Sequence, residues 1–142
     1  MNQRSRIQLA LHGAIVILAG LCAGIPYALV VTGAMAGEER AWRMAHGEGI
    51  QNGLVMLAVS GIGGSLVLDE RRSAWCAWSL AVAGYGNVIA AIFGAATGNR
   101  GLAFTAPLAN VIVYLLFVIA IVAVYAGLGL VVSGALRALR NH

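Results

Sequence analysis

The side chains able to do chemistry inside the apolar stretches of this chain are neutral ones: His12, His46, Gln51, Asn52, Tyr85, Asn87, Asn110 and Tyr114. His46 is the most informative. It stands in Trp42-Arg43-Met44-Ala45-His46-Gly47-Glu48-Gly49, where an apolar segment begins. A lone histidine at such a boundary serves most simply as a solvated or capping residue. The alternative is an axial metal ligand, because a neutral imidazole beside space lined by Gly47, Gly49 and Gly53 suits a planar macrocycle. Asn52 follows six positions later, about 9 Å deeper along a helix. Its carboxamide can orient a small polar group or simply bond to a neighbouring helix. Cys22 and Cys76 are isolated, expected to be buried, and lack the C-x-x-C-H pattern of covalent haem attachment, so they read as small core residues. His142 ends the chain and carries no hypothesis.

Positioning these groups requires a membrane. Apolar residues make up 61% of the 142 and charged residues 10%, with a mean hydropathy of +0.87. That leaves too little polar surface to cover a soluble core and excludes disorder, a disulfide scaffold and a water-soluble enzyme. Long uncharged runs separate Arg6 from Glu38, Glu48 from Asp69, Arg72 from Arg100 and Arg100 from Arg137. Each holds one helical crossing of about 20 residues, and none comfortably holds two. The reading is a single all-α transmembrane domain over 1–142, an integral membrane four-helix bundle with spans near 8–34, 47–68, 74–96 and 103–135. The spans are expected to be free of charge. Ala34-Met35-Ala36 could close a signal peptide, but the apolar run before it is about twice a usual signal core, so the segment is expected to be a span.

Arginine placement sets the orientation. Arg4, Arg6, Arg71, Arg72, Arg137 and Arg140 fall on one side, against Arg40, Arg43 and Arg100 on the other. Both termini are therefore expected to be cytoplasmic. This asymmetry accounts for the basic balance without a nucleic-acid partner. Glycines four apart, as in Gly20 and Gly24, Gly33 and Gly37, Gly49 and Gly53, Gly94 and Gly98, favour close helix packing. Some could instead face another subunit or a flat cofactor. The expected absence of intramembrane charge argues against proton relays, ion-coupled transport and voltage sensing. His12 and His46 belong to opposite ends of their spans, so they cannot share one haem. A haem here has one protein histidine and one open face.

Several of these residues also form an ordered set. Ala45-His46, Asn52-Gly53, Gly84-Tyr85-Gly86-Asn87-Val88 and Asn99-Arg100-Gly101-Leu102-Ala103-Phe104 resemble the styrene oxide isomerase family, as does His12-Gly13, in register from about His12 to the C-terminus. The resemblance implies haem b at the contact between subunits of a homotrimer. It makes His46 the iron ligand, with Gly49 and Gly53 beside the cofactor and Asn52 in the active site. Ferric iron would act as a Lewis acid on a small apolar epoxide drawn from the bilayer, and a 1,2-shift would give the aldehyde. The expected location is a bacterial inner membrane. The family's active-site tyrosine has no counterpart, because Ala91 stands in its place. Tyr85 aligns with an aromatic about 9 Å further inward, and Tyr27 or Tyr114 is left to supply a phenol from another helix. Two other readings stand beside the isomerase: a haem-binding sensor or carrier of a small ligand, and a cofactor-free accessory subunit.

Overall fold

A computed structural model describes residues 1–141; His142 lies outside the described residues. Four helices account for most of the chain: α1 (Gln3–Val31), α2 (Glu39–Ile62), α3 (Glu70–Thr97) and α4 (Leu108–Arg140). A short 3-10 turn, Gly63–Ser65, follows α2, and the described residues contain no strand. Local chemistry sets several helix ends. The Asn2 side chain accepts from the Ser5 amide at 2.9 Å and opens α1. Asp69 accepts from the Arg72 amide at 2.8 Å and opens α3. Gly98, in the left-handed conformation at φ 69°, closes α3. Pro107, which has no N–H to lose, precedes α4.

The helices run up and down, each antiparallel to the next. α1 packs on α2, α2 on α3 and α3 on α4, and α1 also reaches α3. Both termini lie at the end of the bundle that holds the turn after α2. The Met1 amine donates to the carbonyls of Gly63 and Leu66, and the Val67 amide donates to Gly134 O. α1, α3 and α4 are each long and apolar enough to cross a membrane. α2 is less apolar because His46, Glu48, Gln51 and Asn52 fall in its middle turns.

The helices depart from the sequence-based spans in ways hydrogen bonding explains. α2 starts eight residues before position 47, since a helix need not stop where its apolar run stops. Glu48 is therefore nine residues inside a helix, not at its end, and the expectation of charge-free spans fails there. Residues 66–68 are not helical: backbone bonds to the N-terminus and to α4 hold them. Residues 103–107 form a loop before α4. Cys76 is buried as expected, its thiol 3.7 Å from Gly127 O, whereas Cys22 is exposed on α1.

The α1–α2 seam is built on glycine. A Cβ at Gly49 would collide with the Gly20 backbone, and one at Gly53 with Gly13 O and Ile17. Backbones this close gain dispersion contacts that larger residues would prevent, which matters where no hydrophobic effect pulls helices together in lipid.

Candidate active site

His46 lies on the α1 side of α2. Its Nδ1 is 2.9 Å from Gly20 O. A carbonyl only accepts, so Nδ1 carries a proton, and in the neutral ring the lone pair is then on Nε2. Gly24 gives the ring its room, because a Cβ there would stand 2.9 Å from Nδ1. Tyr27 stacks nearby, with ring centroids 6.3 Å apart and planes inclined by 20°. The imidazole is thus fixed in one tautomer and one orientation, as the outer-shell bond of a metal-bound histidine requires.

The glycines expected to flank a cofactor pack on α1. Gly49 and Gly53 are buried against Gly20, Gly13 and Ile17 of α1, so they close the seam and border no open space. Gly47 alone of that group has nothing near its missing side chain.

Asn52 lies six residues past His46, which on a helix of 100° per residue places the two about 120° apart around the axis. It faces α3. Its Nδ2 donates to the Glu48 carbonyl at 2.8 Å and to Glu48 Oε2 at 2.8 Å, so both amide hydrogens are engaged. Its Oδ1 accepts from Asn87 Nδ2 at 3.1 Å. The chain Asn87, Asn52, Glu48 is therefore directional. Because Glu48 offers only acceptors to Asn52, it dictates which way both amides point. Glu48 is a site residue that the sequence reading above did not single out. The available signal was its i, i+4 spacing to Asn52, which brings the two side chains together on any helix.

A cleft of about 590 Å³ opens between α2, α3 and α4 at the end of the bundle away from the termini, beside the loop that follows α3. Glu48, Asn87 and Ala91 line its inner part, and Phe117, Val118 and Ile121 of α4 supply apolar wall. Asn52 is not among the lining residues; it lies behind Glu48 and Asn87. Tyr114 borders the cleft and Tyr27 does not, so of the two phenols left open by the sequence, Tyr114 is the one at the cleft and Tyr27 the one at His46. An ion pair, Arg100 to Glu38 at 2.8 Å, lies at its outer rim.

His12 lies elsewhere. Its Nδ1 is 3.0 Å from the Tyr85 hydroxyl, and Trp78 is 5.5 Å away between ring centroids. Twelve residues of α1 separate His12 from the Gly24 that touches His46, about 18 Å along the helix. That is less than a full membrane core, but still far beyond the two sides of one iron.

Among the described residues no three His, Cys, Asp or Glu side chains converge as metal ligands. A metal at His46 must bring most of its own ligands, as a macrocycle does, and the fixed Nδ1–H tautomer fits such a role.

A family model described as styrene oxide isomerase matches residues 5–136. No curated protein matches the chain.

Proposed function

The chain belongs to the styrene oxide isomerase family, and from that premise we propose that it is a membrane-bound, haem b-dependent isomerase converting an apolar aryl epoxide into an aldehyde. The match over residues 5–136 carries the reading. The fixed tautomer of His46 supports its cofactor part. A ferric haem there would supply the Lewis acid that weakens the epoxide C–O bond, with no net redox change.

The chain's own residues do the rest. Gly20 O holds the Nδ1 proton of His46 and leaves Nε2 as the ligating atom. The apolar walls of the cleft keep water from the carbon that becomes electron-poor as the ring opens, which prevents capture to a diol. Asn87 and Glu48 are the polar groups at its inner end, and Asn52 holds both in place.

Because His46 and the cleft occupy different sides of α2, one chain does not bring them together. This supports an assembly in which a neighbouring subunit completes the site, and we include the homotrimer in the proposal. The setting proposed is a bacterial inner membrane, with the termini cytoplasmic by arginine count.

The test is incubation of haem-supplemented protein with aryl epoxides. Aldehyde is expected from the wild type. In His46→Ala both the aldehyde and the Soret band are expected to be lost. A second reading, haem binding without isomerisation, draws on Ala91, whose methyl cannot activate an epoxide oxygen. A Soret band with no aldehyde from any epoxide favours that reading. No Soret band after supplementation overturns both.

A further inference from the structure

We propose that the cleft selects an epoxide whose apolar body also carries a hydrogen-bond donor, in the simplest case a hydroxyl, and that Glu48 is the residue that selects it. The inference rests on the isomerase reading and names the substrate class for it.

Helix register brings the residues together. α2 and α3 are antiparallel, with Met56 against Gly84 and Asn52 bonded to Asn87. Continuing outward by one helical turn puts Glu48 level with Ala91. Both line the cleft, where Ala91 packs into the apolar cluster of Trp42 and Ala45.

Hydrogen-bond accounting gives the chemistry. Asn52 has no amide hydrogen left for a ligand. Glu48 Oε2 is taken by Asn52, whereas Oε1 has no protein partner among the described residues, and Glu48 belongs to no ion pair there. Asn87 donates one hydrogen to Asn52, and its Oδ1 accepts nothing from the protein among the described residues. The inner part of the cleft thus offers two acceptor oxygens, on Glu48 and Asn87, beside the one remaining Asn87 N–H.

A ligand with only an epoxide oxygen can use the Asn87 hydrogen. Its apolar body covers the accessible Glu48 Oε1 and leaves it without a partner, which costs more than a neutral bond returns. A ligand hydroxyl donating to Glu48 removes that cost through a charge-assisted bond. The cleft volume of about 590 Å³ lies in the range that holds larger ligands, so there is space for the added group.

The test uses the full chain, haem-supplemented, in lipid nanodiscs, with two matched pairs of epoxides. One pair is 3-phenylglycidol and trans-β-methylstyrene oxide; the other is 4-(hydroxymethyl)styrene oxide and 4-methylstyrene oxide. In at least one pair the hydroxylated member is expected to have a kcat/KM at least about ten-fold higher. Glu48→Leu is expected to bring that ratio to about one. Glu48→Gln, which keeps an oxygen for Asn52 but no charge, is expected to retain part of it. Ratios near one in the wild type overturn the inference, as does a preference that survives Glu48→Leu. If the leucine variant does not fold, the wild-type and glutamine ratios decide: near one in the wild type, or undiminished in Glu48→Gln, overturns.

Binding of cinnamyl alcohol and trans-β-methylstyrene, alkenes that cannot isomerise, separates this inference from the reading it rests on. Tighter binding of the alcohol that Glu48→Leu abolishes supports the donor site even if no epoxide yields aldehyde. Equal binding overturns it even if isomerisation is brisk.

Discussion

On its α1 side, α2 comes so close to its neighbour that Gly20 and Gly49 meet backbone to backbone; beside them one imidazole bonds to one carbonyl, and Arg6 and Ser60 bond across the far end of the seam. On the side facing α3 and α4, at nearly the same depth, it stands back from its neighbours across a cleft of about 590 Å³ and carries Glu48, Asn52 and the bond to Asn87. Both sides are rich in small residues, so small size alone does not decide between a seam and a cavity. The difference is whether the opposing glycines fall in register. Gly13 and Gly20 meet Gly53 and Gly49 along α1, and the helices close. Beside the cleft, Ala90, Ala91 and Ala95 meet no matching glycine on α4, and the space stays open. Polar groups follow the space: a carboxylate fits where the helices part and has no place where they touch.

The sharpest way to break this contrast is to put a methyl in the seam. Gly49→Ala sets a Cβ against the Gly20 backbone, which cannot swing aside as a side chain can. We expect a loss of about 3 kcal/mol in stability, the upper part of the usual range for overpacking, read by denaturant unfolding in micelles. The displacement should reach His46, whose acceptor is Gly20 O, so haem retention should fall with it. Unchanged stability would mean that the seam is looser than the structure has it.

The cleft side has its own glycine, with a penalty of similar size and a different consequence. Gly101, at φ 61°, lies in the loop over the cleft, and a Cβ there would stand 2.5 Å from Val113 Cγ1. Gly101→Ala is expected to cost about 3 kcal/mol, from the left-handed backbone and from the main chain of Val113 and Tyr114, which cannot swing aside. Ligand affinity in the cleft should drop while the Soret band survives. That is the reverse of the Gly49→Ala pattern, in which the haem suffers first. If both variants lose haem equally, the two sides of α2 are not separable.

How far the sequence reached follows the same division. Charge spacing located four helices, since each long uncharged run has room for one of them. It could not place their ends. Glu39, Arg40 and Arg43 continue α2 outward because backbone hydrogen bonds are indifferent to hydropathy. That extension is why Glu48 was read as a boundary charge and not as a partner of Asn52. His46 was legible from its neighbours and from the resemblance. Its bond to Gly20 was not, because it joins residues 26 positions apart. Gly49 and Gly53 were legible as special, but a glycine pattern says that something comes close without saying whether it is a helix or a cofactor. Asn87 bonds across 35 positions, and no local signal announces that contact.

The smallest expected effect sharpens the contrast at its rim. Arg100 and Glu38 tie the loop after α3 to the segment before α2 across the cleft mouth, at 2.8 Å. Their side chains are 62% and 47% exposed, so water screens the pair, and holding two flexible side chains together costs entropy. Glu38→Gln is expected to change stability by less than about 1 kcal/mol, and that change should shrink further in high salt. Any effect it has should fall on cleft ligands and not on haem, because neither residue touches the α1–α2 seam. A loss as large as that of Gly49→Ala would mean that the open side of α2 is held from its mouth. In that case the missing glycine register along α4 would no longer be the reason the cleft exists.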